Sequence, residues 1–104
     1  MADEIYTLGV WKVKRGQEDR FIEAWKGLGR FFYSLPNPPG LGTLVQSADD
    51  PTRLYSFGPW KSMEDVQAMR SHPRSAEEIG KLRELCEEGG PGVFRVVARM
   101  PESE

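Results

Sequence analysis

The sequence predicts an α+β domain: a four-stranded antiparallel sheet with helices on one face. Three observations predict it. Runs rich in β-branched and aromatic residues occur at 5–14, 41–47, 53–59 and 93–100, amphipathic segments separate the first from the second and the third from the fourth, and Gly, Pro and Asp punctuate the boundaries.

The first strand, Ile5 to Lys14, places Tyr6, Leu8 and Val10 on one face and Ile5, Thr7, Trp11 and Val13 on the other. Both faces are largely apolar, which predicts cover on both sides. If the helices lie over Tyr6, Leu8 and Val10, then Thr7, Trp11 and Val13 project away from them. After the turn Arg15-Gly16-Gln17, the segment Glu18 to Leu35 carries Phe21, Trp25, Leu28, Phe32 and Leu35 at steps of four and three, one stripe of a helix. Glu18 and Asp19 suit its N-terminal dipole, and Pro36-Asn37-Pro38-Pro39-Gly40 ends it.

Leu41 to Ser47 and Arg53 to Pro59, joined by a short turn through Asp49, Asp50 and Pro51, form an antiparallel hairpin. Ser62 with Asp65 three residues on is a capping signature, opening a helix with Met63, Val66 and Met69 on its apolar side. His72-Pro73 interrupts that helix, because the residue before proline is driven out of helical geometry. Ser75 with Glu78 repeats the signature, with Ile79, Leu82, Leu85 and Cys86 apolar and Gly89-Gly90 as the stop. A last strand is predicted over Val93 to Met100, and a disordered tail over Pro101 to Glu104. The resulting order, β-α-β-β-α-β, is the ferredoxin-like plan.

A chain of 104 residues makes one domain, its core spanning about residues 5–100, and can bury enough surface to hold itself without metals or disulfides. The formal charge of −2, with acids and bases interspersed, offers no basic stripe for nucleic acid. No apolar run is long enough to span a membrane, and the acidic start Met1-Ala2-Asp3-Glu4 is unlike a signal peptide, so the expected location is the cytoplasm. The single cysteine excludes an intrachain disulfide. Two such sheets packed face to face would cover the second apolar face, which predicts a symmetric homodimer.

The strand order, the hairpin leading into Tyr55-x-Phe57-x-x-Trp60, the helix Ser62 to Ser71 and the histidine at its end make the chain resemble the antibiotic biosynthesis monooxygenase family of dimeric α/β barrels, from about Ile5 to Met100. The resemblance implies a pocket between helices and sheet. It also implies activities that include cofactor-free oxygenation of polycyclic phenols and oxidative breakdown of haem. Trp60 matches the tryptophan after the third strand, and His72 the histidine near the end of the second helix. The haem-degrading branch needs an asparagine on the first strand, which this chain lacks, so haem breakdown ranks last. The cofactor-free branch requires an apolar pocket that holds or forms a substrate anion and excludes water.

The candidate catalytic residues are His72, Trp60 and Tyr55, and the candidate substrate-binding residues Phe21, Trp25, Phe32, Met69 and Arg95. Tyr6 is a further polar handle. Each has a structural alternative. Phe21, Trp25 and Phe32 share a helical stripe of the kind that builds cores. Trp60 could plug the end of the sheet. His72 could act as a base or cap the preceding helix. Arg95 and Arg99 could hold an anionic substrate or pair with carboxylates. Cys86 reads as packing. No metal or cofactor site is predicted: no hydrolase or phosphate-loop motif is present, and Glu77, Glu78, Glu84, Glu87 and Glu88 read as a solvated helix face. Two function classes remain, a small oxygenase acting on an aromatic or polyketide-like substrate without metal or flavin, and a non-catalytic dimeric module that binds a small ligand or serves in stress.

Overall fold

A computed structural model describes residues 4–101; the acidic start up to Asp3 and the tail from residue 102 lie outside the described residues. The elements are β1 (Ile5–Val13), α1 (Glu18–Tyr33), β2 (Thr43–Gln46), β3 (Arg53–Trp60), α2 (Met63–Ser71), α3 (Pro73–Glu84) and β4 (Cys86–Arg95). The sheet is antiparallel throughout in the order β2-β3-β1-β4, which is the ferredoxin-like arrangement with the second helix broken in two.

Register decides which face is covered. Ile5, Thr7, Gly9 and Trp11 pair with Trp60, Gly58, Ser56 and Leu54, and this face carries the buried residues Trp11, Val13, Leu54 and Trp60. The opposite face carries Val10, Val45, Tyr55, Phe57 and Phe94, all substantially exposed. The helices therefore lie over the Thr7–Trp11–Val13 face, the reverse of the orientation considered from sequence. Both faces of β1 are apolar, so alternation did not distinguish them.

Two clusters form the core. The larger joins Trp11, Val13, Phe21, Leu28, Phe31, Leu54, Leu82 and Cys86, with Trp11 and Phe21 rings 5.4 Å apart. The smaller joins Trp60, Val66 and Met69, with Ile5, Phe32, Leu35 and Val93 against it. Phe31, one residue off the predicted stripe, is more deeply buried than Trp25 or Phe32, which border it on the helix.

The caps split. Ser62 accepts from the Asp65 amide at 3.2 Å, as its spacing predicts. Helix α3 instead starts at Pro73, a residue suited to the first helical position, and His72 is its cap: Nδ1 accepts from the Arg74 amide at 3.1 Å. Ser75 and Glu78 lie inside this helix and are buried. The Ser75 hydroxyl donates to Met69 Sδ at 3.2 Å, and Glu78 is paired with Lys81 at 3.3 Å and Arg74 at 3.5 Å, so Glu78 is not part of a solvated face.

The last strand also departs from expectation. It begins at Cys86 and includes Gly89-Gly90-Pro91-Gly92, a stretch that reads as a helix stop and turn. Gly89 has φ +144°, and a Cβ there would stand 2.5 Å from the Val10 carbonyl oxygen, so the missing side chain lets β4 approach β1. Pro91 is tolerated because β4 is an edge strand. Beyond Arg95 the Val96 amide donates to the Glu4 carbonyl at 2.9 Å, and Arg99 pairs with the Glu4 carboxylate. No helix among the described residues is long and apolar enough to cross a membrane.

Candidate active site

Between the inner face of the sheet and α1 lies an open-mouthed cavity of about 760 Å³, within the range of small-molecule sites. Its floor is set by strand alternation: Thr7, Gly9 and Trp11 from β1 face it together with Ser56, Gly58 and Trp60 from β3. Trp25, Leu28 and Phe32 of α1 form the roof, and Met69 of α2 and Ile79 of α3 close one side. The Trp60 ring meets Phe32 edge-on at 5.3 Å, fixing the wall where the two core clusters approach each other.

The segment from Pro39 to Gly42 borders the mouth. Tyr33 pins it: its hydroxyl donates to the Gly40 carbonyl at 2.7 Å and accepts from the Gly42 amide at 3.0 Å. The Gly40 amide in turn donates to the Pro59 carbonyl at 2.9 Å, tying this segment to the end of β3.

Both floor tryptophans are held by hydroxyls. Trp11 Nε1 donates to Ser56 Oγ at 3.0 Å, and Trp60 Nε1 donates to Thr7 Oγ1 at 3.0 Å. Gly9 makes the first pair possible, since a Cβ there would fall 2.5 Å from Trp11 Nε1 and 2.7 Å from Ser56 Oγ.

The electrostatics are one-sided. Lys26, Arg30 and Arg70 border the cavity, and no carboxylate, histidine or cysteine does among the described residues. Lys26 is engaged by Glu23 at 3.3 Å. Among the charged side chains that border it, an anionic ligand therefore meets cations alone.

The cavity brings together Trp60, Trp25, Phe32 and Met69 of the residues singled out from sequence. The others stand apart from it. Phe21 is wholly buried against Trp11 in the larger cluster. Tyr55 is on the outer face, beside a shallower depression with Lys12, Arg53 and Glu88. Tyr6, paired with Pro59 and Phe94, shares that face. Arg95 ends the edge strand opposite Ile5. His72 is exposed, its Nδ1 committed to the α3 cap and its ring edge-on to Phe31 at 4.9 Å. Cys86 is buried at the start of β4, away from the cavity, and burial raises its thiol pKa. Three metal-ligating side chains converge nowhere among the described residues.

Sequence reasoning missed the polar groups that do face the cavity: Thr7, Ser56, Tyr33, Arg30 and Arg70. A signal for two of them existed. Thr7-x-Gly9-x-Trp11 and Ser56-x-Gly58-x-Trp60 are matching period-two patterns on strands that pair, with a hydroxyl, a glycine and a tryptophan in each.

This fold is that of the antibiotic biosynthesis monooxygenase structures. SnoaB, a cofactor-independent oxygenase from Streptomyces nogalater, superposes with a TM-score of 0.83 at 21% identity, covering 97% of this chain and all of its own. A Nitrosomonas europaea protein provisionally named as an antibiotic biosynthesis monooxygenase gives 0.76 at 19% identity over 99% of this chain and 97% of its own. A possible oxidoreductase from Bacteroides thetaiotaomicron gives 0.78 at 18% identity over 92% of this chain and all of its own. No family model matches the chain, and no curated protein matches it by sequence.

Proposed function

We propose that this chain is a small monooxygenase that oxidises an electron-rich aromatic substrate, of the polycyclic phenol kind, without metal or flavin. The carrying observation is the cavity: large enough for fused rings, lined by Trp25, Phe32, Trp60 and Met69, and bordered by Arg30 and Arg70. Likeness in fold to a cofactor-independent oxygenase supports the same reading.

The chemistry is self-contained. An anthrone loses a proton from its methylene carbon to give an enolate, which passes one electron to dioxygen. The radical pair combines into a carbon-bound peroxide, which takes up a proton. Loss of water then leaves the new carbonyl, so anthrone and dioxygen give anthraquinone and water. The protein favours the enolate by placing Arg30 and Arg70 beside the cavity and by replacing bulk water with fixed dipoles. Trp60 shapes the pocket in this scheme, while His72 and Tyr55 do not border it.

The same reading makes the protein a homodimer. Val10, Val45, Tyr55, Phe57 and Phe94 form an apolar sheet face that a second copy would cover. A binding module without chemistry is the competing function, favoured by one observation: among the described residues no carboxylate, histidine or cysteine borders the cavity to serve as a base. Aerobic incubation with an anthrone decides between them. Stoichiometric dioxygen uptake and quinone formation, reduced in Trp60→Ala, is expected; binding with no turnover above the uncatalysed rate would establish the module instead.

A further inference from the structure

A thioether sulfur is a soft nucleophile, and a peroxide offers it a weak O–O bond to break. Of the methionines among the described residues, Met69 alone borders the cavity, and no cysteine does, so Met69 carries the sulfur of that wall. It is 4% exposed, whereas Met63 on the same helix is 44% exposed and stands outside the cavity. A peroxide dissolved in water therefore reaches Met63 first. One carried in the cavity meets Met69.

The sulfur is held in place. Met69 packs with Trp60 and Val66, and the buried Ser75 of α3 donates its hydroxyl to Sδ at 3.2 Å. Thioether sulfur is a weak acceptor with two lone pairs, so this bond engages one and leaves the other to act as nucleophile. The same hydroxyl is at hand for a sulfoxide oxygen, which is a stronger acceptor than the thioether it replaces.

We propose that Met69 Sδ is an oxygen-accepting site for organic hydroperoxides held in the cavity, and that its conversion to methionine sulfoxide weakens the grip of the cavity on aromatic ligands. The free lone pair attacks the outer oxygen of the hydroperoxide, an S–O bond forms as the O–O bond breaks, and sulfur is oxidised by two electrons. The departing alkoxide takes the hydroperoxide proton and leaves as an alcohol. With the carbon-bound peroxide of an anthrone that alcohol is the hydroxyanthrone, formed in place of the quinone. This source of peroxide rests on the oxygenase reading of the same cavity; the site itself rests on Met69 and its surroundings. A sulfoxide sets a polar oxygen into the wall shared with Trp60 and Val66, where an apolar ring would strip it of water, and sulfoxide reduction restores the thioether.

The test needs no turnover. The whole protein is treated with cumene hydroperoxide, which carries an aromatic ring, or with hydrogen peroxide, and sulfoxide at Met69 and Met63 is quantified by peptide mass spectrometry. Hydrogen peroxide is expected to oxidise Met63 ahead of Met69. Cumene hydroperoxide should raise the Met69-to-Met63 ratio several-fold, and saturating anthracene should return it to the hydrogen peroxide value. Protein oxidised at Met69 should bind anthracene roughly three- to tenfold more weakly by quenching of tryptophan fluorescence, while Met69→Leu given the same treatment keeps its own affinity. The same ratio with both peroxides, a ratio indifferent to anthracene, or unchanged affinity after oxidation of Met69 would overturn the inference. The expected peroxide results without any quinone from an anthrone in air would overturn the oxygenase reading and leave the Met69 site standing.

Discussion

The two faces of the sheet are both rich in aromatic and branched side chains, yet they have opposite fates. On the inner face, Trp11, Leu54 and Trp60 are buried beneath helices, and its polar atoms are paired in indole–hydroxyl contacts. On the outer face, Val10 is 49% and Phe94 53% exposed, with no helix over them. The difference teaches that apolar content alone does not say which face is covered: connectivity brings helices over the inner face and leaves the outer face of the single chain open.

The comparison breaks most severely at the inner face. Phe31 packs in the larger cluster and also meets Phe32 and His72, so Phe31→Ala is expected to destabilise the fold by about 3–5 kcal/mol, read by denaturant unfolding. An outer-face change acts on association instead. Phe94→Glu should convert a dimer to a species near 11.8 kDa by light scattering while the far-UV spectrum stays the same. A wild type already at that mass would refute the dimer.

Smaller effects sharpen the boundary between fold and site. His72→Ala removes the Nδ1 cap of α3 and should cost about 0.5–2 kcal/mol of stability without weakening ligand binding in the cavity. A selective loss of turnover in a variant of unchanged stability would instead give His72 a role in the chemistry. The smallest effect concerns Cys86. Burial raises its pKa, so the folded state binds the thiol proton more tightly than the unfolded chain does. Stability from this group is complete below the ordinary thiol pKa and declines as pH rises through it toward the folded value. Cys86→Ala should flatten the alkaline limb of the stability profile, measured by urea midpoints across pH.

Local signals carried well where one element determines the outcome. The Ser62 cap, the break at His72-Pro73 and the hairpin through Asp50 and Pro51 all follow from nearby residues, and the structure contains them. The Asp50 carboxylate accepts from the Thr52 hydroxyl and amide, which hold its pKa below the usual range. Signals failed where a distant partner intervenes. Ser75 and Glu78 have the spacing of a cap, but Met69, Arg74 and Lys81 claim them. Gly89 to Gly92 have the composition of a turn, but they pair with β1, which lies close enough at Gly89 to need its missing side chain.

The candidate site divides in the same way. Trp25, Phe32, Trp60 and Met69 were legible because large apolar side chains at regular spacing mark the interior of a fold, where cavities also lie. Thr7 and Ser56 were not, because a hydroxyl on a strand carries no burial signal until pairing shows which face it shares and which indole it meets. By itself, the order of strands and helices followed from periodicity and punctuation, which are properties of neighbours along the chain. Only the tertiary structure decided which face of β1 is inside, where β4 begins and which polar atoms look into the cavity. Those outcomes depend on contacts between residues far apart in sequence, and a period-two pattern is unchanged when the sheet is turned over.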